Sequence, residues 1–135
     1  MYRNILVPVA FDTDHKPEDA LAVARALAAP GATVTVLHVM EEAPPYALTY
    51  IPEDVTHSLK EAIRAELRTL AKGFENGQPV LVEGHSGRTI LHWAEDNGVD
   101  CIVIASRRPG FEDRVLGSTA SWVVGRAHCA VHVVR

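Results

Sequence analysis

Asp100-Cys101-Ile102-Val103-Ile104-Ala105-Ser106, continuing through Leu116-Gly117-Ser118-Thr119 to Ala130-Val131-His132-Val133-Val134, is the stretch that decides how this chain folds. Cys101 to Ala105 is an unbroken apolar run, which predicts a strand buried on both faces of a parallel sheet. Ser106 to Val115 is a polar loop carrying Arg107, Arg108 and Arg114. Gly117-Ser118-Thr119 predicts a helix start, and Val131 to Val134 a closing strand. A loop of this kind, ending on a helix N-terminus, suits a phosphate. The first amides of a helix have no intrahelical acceptor, and the dipole end there is positive. Gly117 lets an anion come close to the backbone, and Ser118 and Thr119 each add a hydroxyl. The same residues also read as an ordinary helix cap that binds nothing.

Working outward, strands and helices alternate. Ile5-Leu6-Val7-Pro8-Val9 predicts a first buried strand. Pro17 to Ala29 predicts a helix, with Pro17 in its first turn, Glu18 and Asp19 at its positive end, and Pro30-Gly31 as its stop. Ala32 to Met40 is the second strand. Asp54 to Phe74 is the longest helix, with Val55, Leu59, Ile63, Leu67, Leu70 and Phe74 at three- and four-residue steps. Val80 to Val82 is the third strand. Ser86 or Gly87 opens a helix with Ile90, Leu91, Trp93 and Ala94 as its core residues and Gly98 as its stop. Strand four (Asp100 to Ala105), a helix from Gly117 to about Ala127 and strand five (Val131 to Val134) complete the chain. Glu41 to Thr56 is a long proline-bearing connection, and its length hints at a function.

This order, βαβαβαβαβ, demands right-handed crossovers and a parallel sheet with helices on both faces. At 135 residues it predicts one domain spanning 1–135. Such sheets bind ligands beyond the carboxyl ends of the strands, at the switch point where the chain reverses direction across the sheet. The loops after strands one and four, Ala10 to Asp14 and Ser106 to Gly117, are the natural pair.

Bulk properties narrow the function classes. The 47% apolar and 22% charged content fits a globular protein. A net charge of −4 argues against general nucleic-acid or membrane-surface binding. The span 107–126 runs against that sign, with four arginines facing Glu112 and Asp113, and suits a small anion. Cys101 and Cys129 lie in apolar segments outside any C-x-x-C motif, which reads as buried free thiols in a reducing cytosol. Met1-Tyr2-Arg3-Asn4 leads directly into a strand, and no apolar run approaches the ~20 residues of a membrane span. The expectation is a cytoplasmic protein without membrane insertion.

Several chemistries lack their motifs. There is no G-x-x-x-x-G-K-[ST], and no G-x-G-x-x-G after strand one. The Ser-Gly-Gly of adenylating pyrophosphatases and the His-x-Gly-His of nucleotidylyl transferases are missing. No serine sits in a G-x-S-x-G elbow. Of the seven histidines, His128 and His132 are about 13 Å apart at strand rise and do not share a metal. His38 reads as a satisfied strand residue, and His85 and His92 flank a helix start without ligand partners. No catalytic constellation and no metal site is expected, so the chain reads as a non-enzyme.

Three segments together resemble the universal stress protein family: Ile5 to Val9, Gly98-Val99-Asp100-Cys101-Ile102-Val103-Ile104, and the tail from Leu116-Gly117-Ser118 to Cys129-Ala130-Val131-His132-Val133-Val134. Order and spacing carry the match, which covers the whole chain. The resemblance implies a Rossmann-like open sheet of five parallel strands in order 3-2-1-4-5 with four helices. It implies ATP or another adenine nucleotide, with magnesium as an accompanying ion, bound between the first and fourth strands. It also implies a homodimer through the strand Val131–Val134. Position by position, Pro8 and Val9 would line the adenine end, and Val39 would offer backbone groups to the adenine edge. Ile104 and Ala105 would pass beneath the ribose. Arg107 and Arg108 would meet phosphates, and Gly117, Ser118 and Thr119 would cradle them.

The chain departs from the family's Gly-x-x-Gly, nine residues, Gly-Ser loop. Ala105 and Arg108 stand at the two early glycines, and eight residues separate Arg108 from Gly117. The resulting Ala-Ser-Arg-Arg-Pro resembles the Ala-Ser-His-Arg-Pro of one branch. Ala10 stands where the family often has Asp, and Asp12 two residues later is a candidate ribose contact. Arg108 either grips a phosphate bidentately or fills its place. The expectation is therefore a dimeric stress-response or regulatory factor that binds an adenine nucleotide, acts through an unidentified protein partner and hydrolyses ATP slowly at most. The alternatives are a nucleotide-independent dimeric accessory module with its pocket closed by Arg108, and a phosphotransferase or hydrolase.

Overall fold

Residues 1–11, 16–41, 44–48, 50–106 and 116–135 are described by the computed structural model. Five strands, β1 (Tyr2–Pro8), β2 (Ala28–Met40), β3 (Asn76–Glu83), β4 (Cys101–Ala105) and β5 (Ala130–Val134), form one sheet. Its order is β3-β2-β1-β4-β5, and every neighbouring pair is parallel. The helices are α1 (Pro17–Leu27), α2 (Pro45–Leu48), α3 (Glu53–Ala71), α4 (Ser86–Asp96) and α5 (Ser118–Arg126). The expected five-stranded order and its four long helices are thus present. The single turn α2 falls within the long proline-bearing connection Glu41 to Thr56.

Alternation along each central strand builds two cores. Ile5 and Val7 of β1, Val34 and Val36 of β2, and Cys101 and Val103 of β4 join Ala20, Leu21 and Ala24 of α1 and Leu67 and Ala71 of α3. Leu6, Leu37, Ile102 and Ile104 join Ile90 and Ala94 of α4 and Ala120 and Val123 of α5 on the other face. Cys101 belongs to the first core, whereas Cys129 packs against the second. The sheet lies between the two thiols, so both stay free, as expected.

The amino end of the sheet is closed by hydrogen bonds. The Asp100 carboxylate accepts from the Arg3 amide at 2.9 Å and the Asn4 amide at 3.0 Å. The Asn4 side chain donates to the Asn97 carbonyl at 2.7 Å, and the Asp100 amide to the Asn4 carbonyl at 2.9 Å. Gly98, with φ +64°, makes the left-handed step that turns α4 into β4.

Several boundaries differ from the sequence reading: β1 covers Tyr2–Pro8 where the sequence predicts Ile5 to Val9, and β3 covers Asn76–Glu83 where it predicts Val80 to Val82. α1 stops at Leu27, before Pro30, because a proline disfavours helix in the residue before it. Ala28 to Thr33 then joins β2 through a bulge containing Gly31 at φ +78°. α3 ends at Ala71, short of Phe74, and only its second half is covered. Leu67 is fully buried, while Val55 and Leu59 are more than half exposed. The apolar periodicity is real, but the first turns of α3 extend past the surface that the sheet offers.

Candidate functional site

At the carboxyl end of β1, β2 and β4 the chain opens into a cleft of about 350 Å³. Nine of the residues singled out from sequence line it: Pro8, Val9, Ala10, Val39, Ile104, Ala105, Gly117, Ser118 and Thr119. Asp12, Arg107 and Arg108 lie outside the described residues, and so does the question of which way Arg108 acts.

Backbone hydrogen bonds set the β4 side of the cleft. The Ser106 amide donates to the Val134 carbonyl at 2.8 Å, and the Gly117 amide to the Ser106 carbonyl at 2.7 Å. Ser106 is buried and ties the end of β4 to the start of α5. Gly117 is the N-cap of α5, in an extended conformation, and no side chain among the described residues caps the helix. The first intrahelical bond runs from the Ser121 amide to the Gly117 carbonyl at 2.9 Å. The amides of Ser118, Thr119 and Ala120 therefore precede any helical acceptor, beside two hydroxyls and at the positive end of the dipole. This is an anion-ready helix start. Ser118 and Thr119 do not cap the helix, so an ordinary capping role does not account for them.

The opposite wall combines the end of β2 with the start of α4. His85 caps α4, its Nδ1 accepting from the Arg88 amide at 3.4 Å. Ser86 Oγ donates to Glu41 Oε1 at 3.3 Å, bridging the first residue of α4 to the residue after β2. Between these walls lie the apolar side chains of Leu37, Val39, Ile90 and Ile104. Val9 closes the floor, its amide donating to the Leu37 carbonyl at 2.8 Å. Its carbonyl accepts from His38 at 2.7 Å, which places the ring proton on Nδ1, because a carbonyl only accepts. His38 is thus a satisfied strand residue, as read from sequence. It fixes the exit of β1, with Phe11 tilted against it at 5.0 Å.

Sequence reasoning missed Glu41, Ser86 and Ser106. A signal existed for Ser86, since it opens a helix directly after a strand's carboxyl end. The reading paired only the loops after strands one and four. That α4 and α5 cover the same face, so that both N-termini meet one cleft, depends on how the crossovers pack.

A second, smaller cavity of about 200 Å³ sits at the amino end of the sheet, between α4 and the approach to β5. Leu91, Ala94, Val99, Ile102 and Cys129 line it, and at its rim His128 meets Glu95 at 3.0 Å. Burial pushes the Cys129 thiol above its usual pKa, so it stays protonated and poorly nucleophilic. Among the described residues no group of three or more His, Cys, Asp or Glu gathers to hold a metal ion, and no helix is long and apolar enough to cross a membrane.

Comparison with known proteins places this geometry. A universal stress protein of Thermus aquaticus is 34% identical over 140 residues, with both chains covered in full. The structure of the universal stress protein UspA from Lactobacillus plantarum superposes with a TM-score of 0.74 at 29% identity, over 99% of this chain and 98% of that one. A universal stress protein from Archaeoglobus fulgidus, solved in complex with dAMP, shares the fold at a TM-score of 0.66 and 23% identity, over 99% and 98%. The statistical model of the universal stress protein family matches residues 1–135, and the chain belongs to that family.

Proposed function

We propose that this chain binds an adenine nucleotide, ATP or a relative of it, in the cleft between β1 and β4. In this reading it acts as a dimeric regulatory factor of the cytoplasm by altering contacts with a protein partner. The uncapped start of α5 carries the reading: three consecutive amides without helical acceptors face a cleft that also presents the apolar side chains of Leu37, Val39, Ile90 and Ile104. A phosphate on Gly117, Ser118 and Thr119, with a flat base against Pro8, Val9 and Val39, uses both features at once. The cleft's volume is at the lower end of the ordinary range for small-ligand sites. The dAMP complex of the Archaeoglobus fulgidus relative supports the ligand class. Magnesium would come with the triphosphate, since the described residues offer no cluster to hold a metal alone. With no general base evident at the phosphate end among the described residues, turnover of ATP is expected to be slow at most.

The dimer would form through β5, which ends the sheet and leaves its outer edge without a strand neighbour among the described residues. Val131, Val133 and Val134 are only half-buried there. A twofold copy pairing edge to edge would cover them.

Calorimetric titration with ATP, together with analysis of any ligand released on denaturing fresh protein, tests the reading. Saturable binding that is lost on combining Gly117→Val with Ser118→Ala supports it. No heat at millimolar ATP and no released nucleotide would leave a nucleotide-independent accessory module, and brisk turnover an enzyme. Sedimentation of Val133→Glu, expected to be monomeric, tests the edge.

A further inference from the structure

Among the described residues that line the cleft, Glu41 is the one acidic residue, and none is Lys or Arg. It follows β2 directly, two positions after Val39, and in extended chain such residues share a face. Its contact with Ser86 fixes that face independently: the carboxylate spans from β2 to the first residue of α4 at 3.3 Å. The bond occupies one of about four acceptor positions on the carboxylate. No salt bridge from Glu41 to a cation exists among the described residues. The cleft therefore holds, on one wall, an acceptor-only group that carries a full negative charge, pinned by a neutral hydroxyl.

Its position relative to α5 decides what it faces. β2 and β4 flank β1, so their ends are two strand spacings, about 10 Å, apart. Anion-binding amides stand on the β4 side and a carboxylate on the β2 side. A nucleotide lying across this gap has one stable orientation, because Glu41 repels the phosphates that α5 attracts. The base then lies against Val39 and Glu41. There the carboxylate can accept a hydrogen bond only from a group that donates.

We propose that Glu41, braced by Ser86, is a specificity-determining residue that reads the exocyclic amino group of the base and selects 6-amino over 6-oxo purines. The inference rests on the nucleotide reading above. A 6-amino group donates to the carboxylate. A 6-oxo group sets an acceptor against it and leaves a charge unpaired, and sites built to bond a donor reject analogues that lack one. The β2 backbone at Val39 contributes its own preference, so the decisive quantity is how the ATP-to-ITP affinity ratio changes on substitution.

The test measures calorimetric affinities of ATP and inosine triphosphate for the wild-type chain and for E41A, E41Q and S86A. Glu41 is exposed, and circular dichroism verifies that each variant folds. Wild type is expected to prefer ATP. E41A should lower the ratio about tenfold by weakening ATP, the size of a charge-assisted hydrogen bond at a partly hydrated site. E41Q should narrow the ratio by strengthening ITP, since its amide can turn a donor toward the 6-oxo group. S86A should move the ratio the same way by a smaller factor. ATP bound normally, with a ratio unchanged in both E41A and E41Q, overturns the role of Glu41 while leaving the nucleotide site standing. Wild type binding neither triphosphate removes the nucleotide reading and this inference with it.

Discussion

Among the described residues, the amino end of the sheet is closed by a charged acceptor, whereas the carboxyl end opens on helix amides without helical acceptors and a carboxylate with one hydroxyl partner. Below, the Asp100 carboxylate takes the Arg3 and Asn4 amides, Asn4 reaches the Asn97 carbonyl, and the adjoining cavity is lined mostly by apolar side chains. Above, among the described residues, α5 begins without a side-chain cap, and Glu41 is held by a single hydroxyl beside a cleft. Both ends join the same strands to the same helices. The contrast teaches that hydrogen bonding is completed internally where the chain only needs to turn. Under the proposed function, the open groups at the carboxyl end are those that the ligand would partner.

Four changes would break or sharpen this contrast. Asp100→Ala should lower unfolding stability by about 2–3 kcal/mol, because two amides, one exposed and one part-buried, lose a charged acceptor. Urea unfolding measures this, and nucleotide affinity should not move. A loss below 0.5 kcal/mol would mean that the amino end is not sealed by this carboxylate.

Next in size is a pH effect at the same end. Burial raises the Cys101 thiol from 9.0 to about 11, with Cys129 and Asp100 adding to the rise. The folded state thus holds its proton after the unfolded chain has lost it. The contribution is complete below pH 9 and is lost as pH climbs toward 11. Relative to Cys101→Ala, the native chain should lose about 2 kcal/mol over that interval. Parallel stability curves for the two proteins would refute the assignment.

At the carboxyl end, Gly117→Val should cost at least tenfold in nucleotide affinity, about 1.4 kcal/mol, with a melting temperature within a few degrees of wild type. Gly117 has φ −61°, which any residue adopts, so the variant tests close approach of the ligand and not backbone strain. Undiminished affinity would move the phosphate away from α5.

The smallest effect is a control between the two ends. Thr35 Oγ1, in the middle of β2, is fully buried and has no hydrogen-bond partner among the described residues. No ligand reaches it, so its isolation is a cost and not a readiness to bind. Thr35→Val should stabilise the fold by up to about 1 kcal/mol. A destabilised variant would mean that the hydroxyl has a partner, such as an ordered water.

Much of the fold was legible because it rests on local patterns. The apolar runs Ile5–Val9 and Cys101–Ala105 announce doubly covered strands, and their alternation with amphipathic helices leaves few topologies. Legibility failed where a boundary depends on what lies opposite. Nothing in the spacing of Val55 and Leu59 shows that the sheet ends before it can cover them. The proline that stops α1 does so three residues upstream of itself, where the chain enters a bulge. The cleft was read in the same way. Gly117-Ser118-Thr119 and Val9 were visible from local chemistry and from the resemblance, while Glu41 and Ser86 lie 45 residues apart in sequence and meet because β3, which leads into α4, pairs with β2 up to Met40 and Glu83.

By itself the sequence determined the alternation, the parallel sheet and the glycine-started helix that presents its amides, because hydrophobic period and turn chemistry act over a few residues. Tertiary structure alone decided which groups share the cleft. It set Cys101 and Cys129 on opposite faces of the sheet and closed the amino end with Asp100. It also brought a carboxylate from β2 to a hydroxyl on α4. Those pairings depend on crossover packing, which fixes neighbours that no local pattern encodes.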